Sequence, residues 1–247
     1  MSGGSDSISV AVDALPLAGS PTGVGVFCEN LCRQLAGRGD VELHAYAVSS
    51  QPDLVRRRLP AGTPLKTVRM PTRAVNASWL HGGPPSGKSL AGGCSVLHGT
   101  NYVVPPARRI ARVVTVHDMT AWRFPELCSP ATLAYPGLLR QALSTGAFVH
   151  AVSRFTAAEL IELTGADESR VRVVHSAPSP SPSPSPSPPS PGAEAEPLAY
   201  RPDRPYILAV GTVEPRKDYP TLVRAVAELA VQVPEVELVI AGSPGWG

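Results

Sequence analysis

Every residue from 178 to 191 is proline or serine, and eight of these fourteen residues are proline. Proline lacks a backbone N–H and has a fixed φ, so this tract cannot form a helix or a sheet ladder and predicts extended polyproline II. At about 3.1 Å per residue, it would span roughly 40 Å. We therefore expect residues 177–204 to be a semi-rigid linker between one domain at residues 1–176 and another at residues 205–247. Recognition by a proline-binding module is the alternative role for the tract.

Before the linker, apolar runs typical of strands alternate with segments of helical periodicity. We expect Ser153 and Gly165 to cap one helix, and Pro136 to break or kink another. Strands and helices in alternation predict a parallel sheet with helices on its faces, which is an α/β fold. The predicted strands are residues 7–12, 41–48, 65–68, 95–98, 112–117, 147–152 and 171–175, and the predicted helices are residues 24–36, 131–143 and 155–163.

After the linker, residues 206–210 form an apolar run with the length of a buried strand. Gly211 permits a sharp turn, and Asp218 predicts the N-cap of a helix. Two adjacent cations, Arg216 and Lys217, lie in the intervening loop. Their charge, together with the free N–H groups and the dipole of the helix, would bind a diphosphate without a metal ion. The alternative is a solvated pair of basic side chains on an ordinary loop.

Gly23 and Gly25 follow the first predicted strand, at the place of the dinucleotide-binding fingerprint G-x-G-x-x-G. Cys28 replaces the third glycine, and no acidic residue ends the second strand to bind a ribose. A nicotinamide cofactor is therefore disfavoured. The two glycines still predict a turn at which a substrate approaches the sheet.

His117 and Asp118 fall at the carboxyl end of the strand predicted at residues 112–117. Open α/β sheets bind their ligands at this edge. As a site residue, His117 would donate a hydrogen bond to a substrate hydroxyl or to developing charge. As a structural residue, it would instead bond to a loop.

Residues 82–89, GGPPSGKS, match the phosphate-loop pattern G-x-x-x-x-G-K-[ST]. That motif functions between a buried strand and a helix, and neither is predicted on its two sides. We therefore interpret it as a surface loop. The alternative function is a nucleotidase in which Lys88 and Ser89 bind phosphate and Asp118 holds a metal ion.

The overall composition narrows the class of protein. A net charge of +2 and a hydrophobic content of 43% predict a globular chain and give no reason to expect a nucleic-acid partner. We find no secretory signal pattern and no apolar run near the roughly 20 residues of a membrane span. Four cysteines predict reduced thiols in a cytoplasmic protein. Cys28 and Cys32 have the spacing of half a metal site but no matching second pair, so we expect both to be buried apolar residues.

Five segments carry a family resemblance: PTGVGVFCENLCRQLA, VVTVHDMTAWRFPE, FVHAVSRFTAAELIELTGADESRVRVVHSAPSP, RPYILAVGTVEPRKDYPTLVRAV and VELVIAGSPGWG. Together they resemble the retaining glycosyltransferases of family 4, in which they occur in the same order. They cover most of the chain outside its glycine- and proline-rich loops. The resemblance implies the GT-B fold, with two Rossmann-like parallel-sheet domains. The N-terminal domain would bind the acceptor and the C-terminal domain the nucleotide sugar.

The resemblance also implies roles for individual residues. Arg216 and Lys217 would neutralise the diphosphate of the donor. Many members have an arginine at the position of Thr212, and Arg216 would replace it. His117 would contact the transferred sugar, and the turn at residues 23–25 would approach the diphosphate from the other domain.

For the reaction, the resemblance implies transfer of a hexosyl group, with mannosyl as one candidate, from a nucleotide sugar to a hydroxyl group with retention. It implies a glycan or lipid-linked acceptor, as in polysaccharide biosynthesis, and neither a cofactor nor a bound metal. We expect a cytoplasmic location, and a lipid-linked acceptor would add peripheral contact with the inner face of the membrane.

The second domain departs from the family pattern. Only 43 residues follow from Pro205 onward, and the E-x7-E segment, whose acidic residues bind the donor sugar and ribose, is absent. We therefore expect a truncated donor domain with an incomplete sheet, and weak or no sugar transfer by this chain. A non-catalytic fragment that binds the acceptor is a further alternative.

Overall fold

The chain divides into two units, Met1–Ser176 and Ala177–Gly247. The structure, a computed structural model, describes residues 7–19, 22–178, 203–243 and 245. Apart from Pro178, the tract at residues 178–191 therefore lies outside the described residues, and its polyproline II conformation stays a prediction.

The first unit is built on a seven-stranded sheet. Its strands are β1 (Ile8–Asp13), β2 (Val41–Val48), β3 (Leu65–Val68), β4 (Val96–Gly99), β5 (Ala111–Val116), β6 (Phe148–Ala151) and β7 (Val171–Val173). All neighbouring strands are parallel, in the order β3-β2-β1-β4-β5-β6-β7. The chain thus runs outward from β1 to one edge and returns to the centre at β4. This Rossmann-like arrangement confirms the predicted α/β fold.

The helices of this unit are α1 (Gly23–Ala36), α2 (Pro52–Arg58), α3 (Thr72–Leu80), α4 (Gly87–Ala91), α5 (Thr120–Arg123), α6 (Tyr135–Ser144) and α7 (Arg154–Thr164). α1 begins where the Thr22 side chain accepts a hydrogen bond from Gly25 N–H, and Ser153 caps α7 in the same way. Gly165 ends α7 in the left-handed conformation, as predicted. Within the described part of the chain, no helix is both long and apolar enough to cross a lipid bilayer.

Two departures from the predicted helices have local causes. The helix predicted at residues 131–143 begins only at Tyr135, because Pro136 occupies its first turn. The residues before it form a separate 3-10 turn, Thr132–Ala134. The sequence pattern also misses α2, α3, α4 and α5, the longest of which has only nine residues.

The sheet separates two apolar cores, because successive residues of a strand face opposite sides. On one side, Ala11 of β1 belongs to a core that includes residues of α3, α4, α6 and α7. On the other side, Val12 packs with α1, α2 and the loop that follows β1. Cys28 and Cys32 are fully buried in this second core, as predicted for apolar residues.

The second unit contains one strand–helix–strand motif. β8 (Tyr206–Val210) pairs in parallel with β9 (Glu237–Ala241), and α8 (Tyr219–Leu229) connects them. Tyr206 and Val210, on the same face of β8, are each more than half exposed. One face of this small sheet is therefore open in the described residues.

Gly99, the last residue of β4, is expected to be essential for the fold of the first unit. A Cβ atom at this position would overlap the backbone carbonyl of Val103. Gly99→Ala should therefore lower the free energy of unfolding by about 1–3 kcal/mol, the usual cost of overpacking. Gly39→Ala is the control, since nothing lies within 4 Å of a Cβ atom there. Chemical unfolding followed by circular dichroism measures both variants, and equal stability would contradict the prediction.

Candidate functional site

The ends of β1, β4 and β5 meet where the strand order reverses, which is the usual ligand-binding position in such sheets. These strands end at Asp13, Gly99 and Val116. Thr100 connects them: its hydroxyl donates to the Asp13 carbonyl at 2.8 Å, and its carbonyl accepts from His117 Nε2 at 2.9 Å. We call the region around Asp13, Thr100 and His117 the carboxyl edge.

His117 lies at the carboxyl edge, and its contacts fix its protonation. Because a carbonyl can only accept, His117 Nε2 carries a proton and donates it to Thr100. Burial lowers the pKa of the imidazole, so the ring is neutral at pH 7 and Nδ1 holds a lone pair. Phe27 of α1 packs edge-on against the ring, with 5.1 Å between ring centroids. Nδ1 can therefore accept a hydrogen bond from a hydroxyl, whereas the donation predicted from the sequence would require a second proton.

A hydrogen-bonded chain of side chains on adjacent strands lies beside His117. His150 Nε2 donates to the Val174 carbonyl at 2.9 Å, and His150 Nδ1 is hydrogen-bonded with the Thr115 hydroxyl at 3.1 Å. Thr115 Oγ1 is in turn hydrogen-bonded with His98 Nε2 at 2.8 Å. Burial lowers the pKa of His98 to about 3, which keeps this ring neutral. This hydrogen-bonded chain links β4, β5 and β6 beside His117.

Asp13 is a buried carboxyl group with little hydrogen bonding. The residue is 9% exposed, and its Oδ1 accepts from Leu15 N–H at 3.0 Å. None of the ion pairs among the described residues includes Asp13. Burial raises the pKa of this carboxyl to about 7, against the opposing effect of the Leu15 N–H.

Tyr46 is paired with Asp13 across β1 and β2 and carries an unsatisfied hydroxyl group. The residue is 1% exposed, and its hydroxyl has no hydrogen-bond partner. Burial raises the pKa of Tyr46, and the charge of Asp13 adds to this effect. Burial also raises the pKa of Tyr135, whose hydroxyl accepts from Asn101 Nδ2 at 3.1 Å and which also feels the charge of Asp13. We call Asp13, Tyr46, Asn101 and Tyr135 the Asp13 cluster.

Gly23 and Gly25 both lie in the first turn of α1, but in different surroundings. Gly25 is buried, and a Cβ atom there would lie 3.0 Å from the carbonyl oxygen of Pro16. Gly23 is exposed, and nothing lies within 4 Å of its Cβ position. Gly25 therefore brings α1 close to the loop after β1, while the space beside Gly23 is open.

The two cations predicted to bind diphosphate differ in their contacts. Arg216 pairs with Glu214 at 2.6 Å, whereas no ion pair among the described residues includes Lys217. The Lys217 side chain lies beside Gly211, which has a φ of +155°. Tyr219 Oη donates to the Gly211 carbonyl at 3.0 Å and ties this turn to α8. Lys217 is thus the cation of the turn that has no carboxylate partner in the described chain.

The N-terminus of α8 begins as predicted at Asp218, but the N–H groups of Thr221 and Leu222 are already occupied. The Asp218 side chain accepts from Thr221 N–H, and its carbonyl accepts from Thr221 and Leu222 N–H. Pro220 has no N–H to offer. The prediction of free N–H groups is wrong at these positions, so positive charge at this turn comes mainly from side chains.

Lys88 and Ser89 do not lie in a phosphate loop. Helix α3 precedes residues 82–89 where the motif requires a strand. Ser86 caps α4 by accepting from Ser89 N–H, and Gly87 N–H donates to the Pro106 carbonyl. These amides are therefore not available to surround a phosphate.

Asp118 stabilises the loop that follows β5. Its Oδ1 accepts from the Tyr102 hydroxyl at 3.0 Å and from Thr120 N–H at 2.9 Å. Across the residues that the structure describes, no group of three or more His, Cys, Asp or Glu side chains could hold a metal ion. The geometry therefore gives no support to Asp118 as the metal-holding acid of a nucleotidase.

The structure brings together the predicted site residues of the first unit. Phe27, two residues after Gly25, contacts His117, so the glycine turn of α1 and the imidazole share one side of the carboxyl edge. Sequence reasoning missed Asp13 and Tyr46. The available signal was a single acid at the end of the first strand, immediately before a loop.

A known sequence family matches most of the first unit. The family described as Glycosyltransferase Family 4 matches residues 21–177, which is more than half of the chain. The matched region contains Gly23, Gly25 and His117. No curated protein shows a significant match to the chain.

Asp13→Asn is expected to stabilise the protein at neutral and alkaline pH. The pKa of Asp13 rises from its ordinary value of 3.8 to about 7 in the folded chain. As the pH rises, the unfolded chain therefore loses the Asp13 proton at a lower pH than the folded chain does. The contribution of Asp13 to stability falls between these two pKa values and stays low above them. A shift of this size corresponds to about 4 kcal/mol as an order of magnitude. Asparagine keeps an oxygen for Leu15 N–H without the charge, so the gain over the wild type should grow from pH 4 to pH 8.

Guanidinium chloride unfolding of both proteins at the two pH values measures this gain. Asp53→Asn is the matched control, because Asp53 is exposed in the first turn of α2. A gain for Asp13→Asn that is the same at pH 4 and pH 8 would disprove the burial argument.

His117 is expected to be neutral at pH 7 with its proton on Nε2, because burial lowers its pKa and the Thr100 carbonyl accepts that proton. A long-range nitrogen–proton NMR spectrum of the histidine side chains distinguishes this tautomer from the Nδ1–H form and from the imidazolium. His117→Gln assigns the signal by removing it. A signal from an Nδ1-protonated or doubly protonated ring would refute the assignment.

Proposed function

Because the chain belongs to glycosyltransferase family 4, we propose that it serves the transfer of a hexosyl group from a nucleotide-diphosphate sugar to a hydroxyl group. The reaction would retain the configuration at the anomeric carbon, and the acceptor would be a glycan or a lipid-linked saccharide. The observation that carries the proposal is Lys217, a cation without a described carboxylate partner at a strand–turn–helix junction.

The first unit supports the proposal through hydrogen-bond acceptors at the carboxyl edge. His117 Nδ1 holds a lone pair, and Gly23 leaves space on the same side of the sheet. Sugar hydroxyl groups donate hydrogen bonds to acceptors of this kind. His117 would thus hold a hydroxyl group of the transferred sugar.

The second unit supports donor binding through charge. A diphosphate is an anion, and its charge grows as the bond to the anomeric carbon breaks. Lys217 would stabilise that charge, and the dipole of α8 adds to the effect. Arg216 would contribute less, because Glu214 already neutralises it. The proposal requires no metal ion.

The chemistry breaks the bond between the anomeric carbon and the diphosphate oxygen, which leaves with the electron pair. A new bond forms to the acceptor oxygen, and the proton of that hydroxyl passes to the departing diphosphate. In this proposal the chain stabilises the leaving group through Lys217 and positions the sugar through His117. A strong general base is not part of the proposal.

Lys217→Ala is expected to weaken UDP or GDP binding by the purified chain at least tenfold, or about 1.4 kcal/mol, because a charge-assisted contact with the diphosphate is lost. Arg216→Ala should have a smaller effect, since the guanidinium is shared with Glu214. Isothermal titration calorimetry measures the affinities directly.

Lys88→Ala is the matched control, because Lys88 is exposed in α4, far along the chain from the turn. It should leave UDP and GDP binding unchanged. Unchanged affinity after Lys217→Ala would refute the donor site. A loss of Mg-ATP binding after Lys88→Ala would favour the nucleotidase instead.

A further inference from the structure

Tyr102 lies in the loop that leads from β4 to β5, and its backbone is strained. Its φ of +59° falls in the left-handed region, which a residue with a bulky side chain rarely adopts. The residue is only 7% exposed. A strained residue persists only where its surroundings hold it, and such residues cluster at functional sites. The contacts that hold Tyr102 therefore indicate what the strain serves.

Those contacts bind the backbone on both sides of His117. Before His117, the Thr115 carbonyl accepts from Tyr102 N–H at 2.9 Å. Directly after it, Asp118 N–H donates to the Tyr102 hydroxyl at 2.9 Å. The hydroxyl oxygen also lies 3.0 Å from Asp118 Oδ1 and from the Asp118 carbonyl oxygen, so its own proton is donated to Asp118. Burial raises the pKa of Tyr102, so the hydroxyl keeps that proton.

The peptide bond after His117 is held at both of its polar atoms. Its N–H is bound by Tyr102, and its carbonyl accepts from the Thr156 hydroxyl at 3.3 Å. The imidazole of His117 donates to the carbonyl of Thr100, which belongs to the same loop as Tyr102. The segment from Thr100 to Tyr102 thus binds both the backbone around His117 and its ring.

Packing does not require the hydroxyl of Tyr102. The ring stacks on Tyr135, with 4.8 Å between ring centroids, and lies edge-on to His117 with 6.2 Å between centroids. Phenylalanine would keep both ring contacts, and glycine would adopt the left-handed turn without strain. What tyrosine alone adds at this position is the hydroxyl bound to Asp118.

We propose that Tyr102 is a positioning residue for His117. Its hydroxyl holds the peptide bond after His117, so the imidazole stays bonded to Thr100 through Nε2 and presents Nδ1 as an acceptor. Tyr102 acts through His117 and does not itself touch the sugar. The sugar as the partner of Nδ1 rests on the proposed function, whereas the fixed imidazole does not.

NMR spectroscopy of the full 247-residue chain, as wild type and as Tyr102→Phe, tests the positioning role. The Nε2–H proton of His117 should exchange with water about tenfold faster in the variant, because a hydrogen bond that fixes its backbone is lost. The pKa of His117, which burial lowers, should rise toward its ordinary value as the ring gains water. Asp118 raises this pKa and His150 lowers it, and the substitution removes neither group.

The exchange of core amides separates positioning from a general loss of stability. Val12 of β1 and Val114 of β5 are fully buried, so their amides report the stability of the sheet. A loss of stability alone would accelerate these amides and the Nε2–H of His117 by the same factor. Equal acceleration, or a His117 whose exchange rate and pKa match the wild type, would overturn the proposal.

Tyr135→Phe is the matched control. It removes the hydroxyl from the other ring of the stacked pair, and that hydroxyl is bonded to Asn101 and not to Asp118. The exchange rate and the pKa of His117 should stay near the wild-type values. Circular dichroism checks that each variant is folded.

Asp118→Asn separates the hydroxyl from the charge of its partner. Asparagine keeps the N–H, the carbonyl and the Oδ1 that contact Tyr102. The Nε2–H of His117 should therefore exchange at a rate near that of the wild type. An acceleration as large as in Tyr102→Phe would show that the charge of Asp118 fixes the ring, and would overturn the proposal.

The outcome also separates this inference from the proposed function. If His117 responds to Tyr102→Phe while UDP or GDP affinity does not depend on Lys217, the proposed function fails and the positioning role stands. If His117 does not respond while nucleotide affinity depends on Lys217, the inference fails and the proposed function stands.

Discussion

The parallel pairing of β1 with β4 is the constraint on which the first unit depends. It brings Asp13, at the end of one strand, beside Gly99, at the end of the other. The chain turns directly after Gly99, because no Cβ atom blocks the backbone that follows. Thr100 then reaches both neighbours and fixes the carbonyl of Asp13 and the proton of His117. Backbone geometry therefore determines which atoms of the carboxyl edge are left to meet a ligand.

Buried polar atoms without a hydrogen-bond partner also occur away from this edge, but their surroundings differ from those of the Tyr46 hydroxyl. Arg112 has one unpaired nitrogen, but its other terminal nitrogen donates to Thr145 at the end of α6. Trp122 has an unpaired Nε1. Tyr46 instead is paired across β1 and β2 with Asp13, a buried carboxyl group whose pKa is raised.

Periodicity predicted the layers of the first unit because it is a local property of the chain. The strand predicted at residues 41–48 agrees with β2 at both ends. The site was harder to predict, since 87 positions separate Thr100 from the Asp13 carbonyl that it binds. In the sequence, a single acid after an apolar run resembles a turn residue, and only the fold shows that it is buried. The adjacent cations looked equivalent in sequence, and only side-chain geometry shows that Glu214 binds Arg216 and not Lys217.

The two units offer opposite kinds of recognition. At the carboxyl edge, His117 Nδ1 and the second oxygen of Asp13 are acceptors, which suit hydroxyl groups and repel phosphates. At the turn beside α8, Lys217 is a cation, which suits a phosphate. Each unit therefore offers a ligand a different kind of group, a hydrogen-bond acceptor in the first unit and a cation in the second.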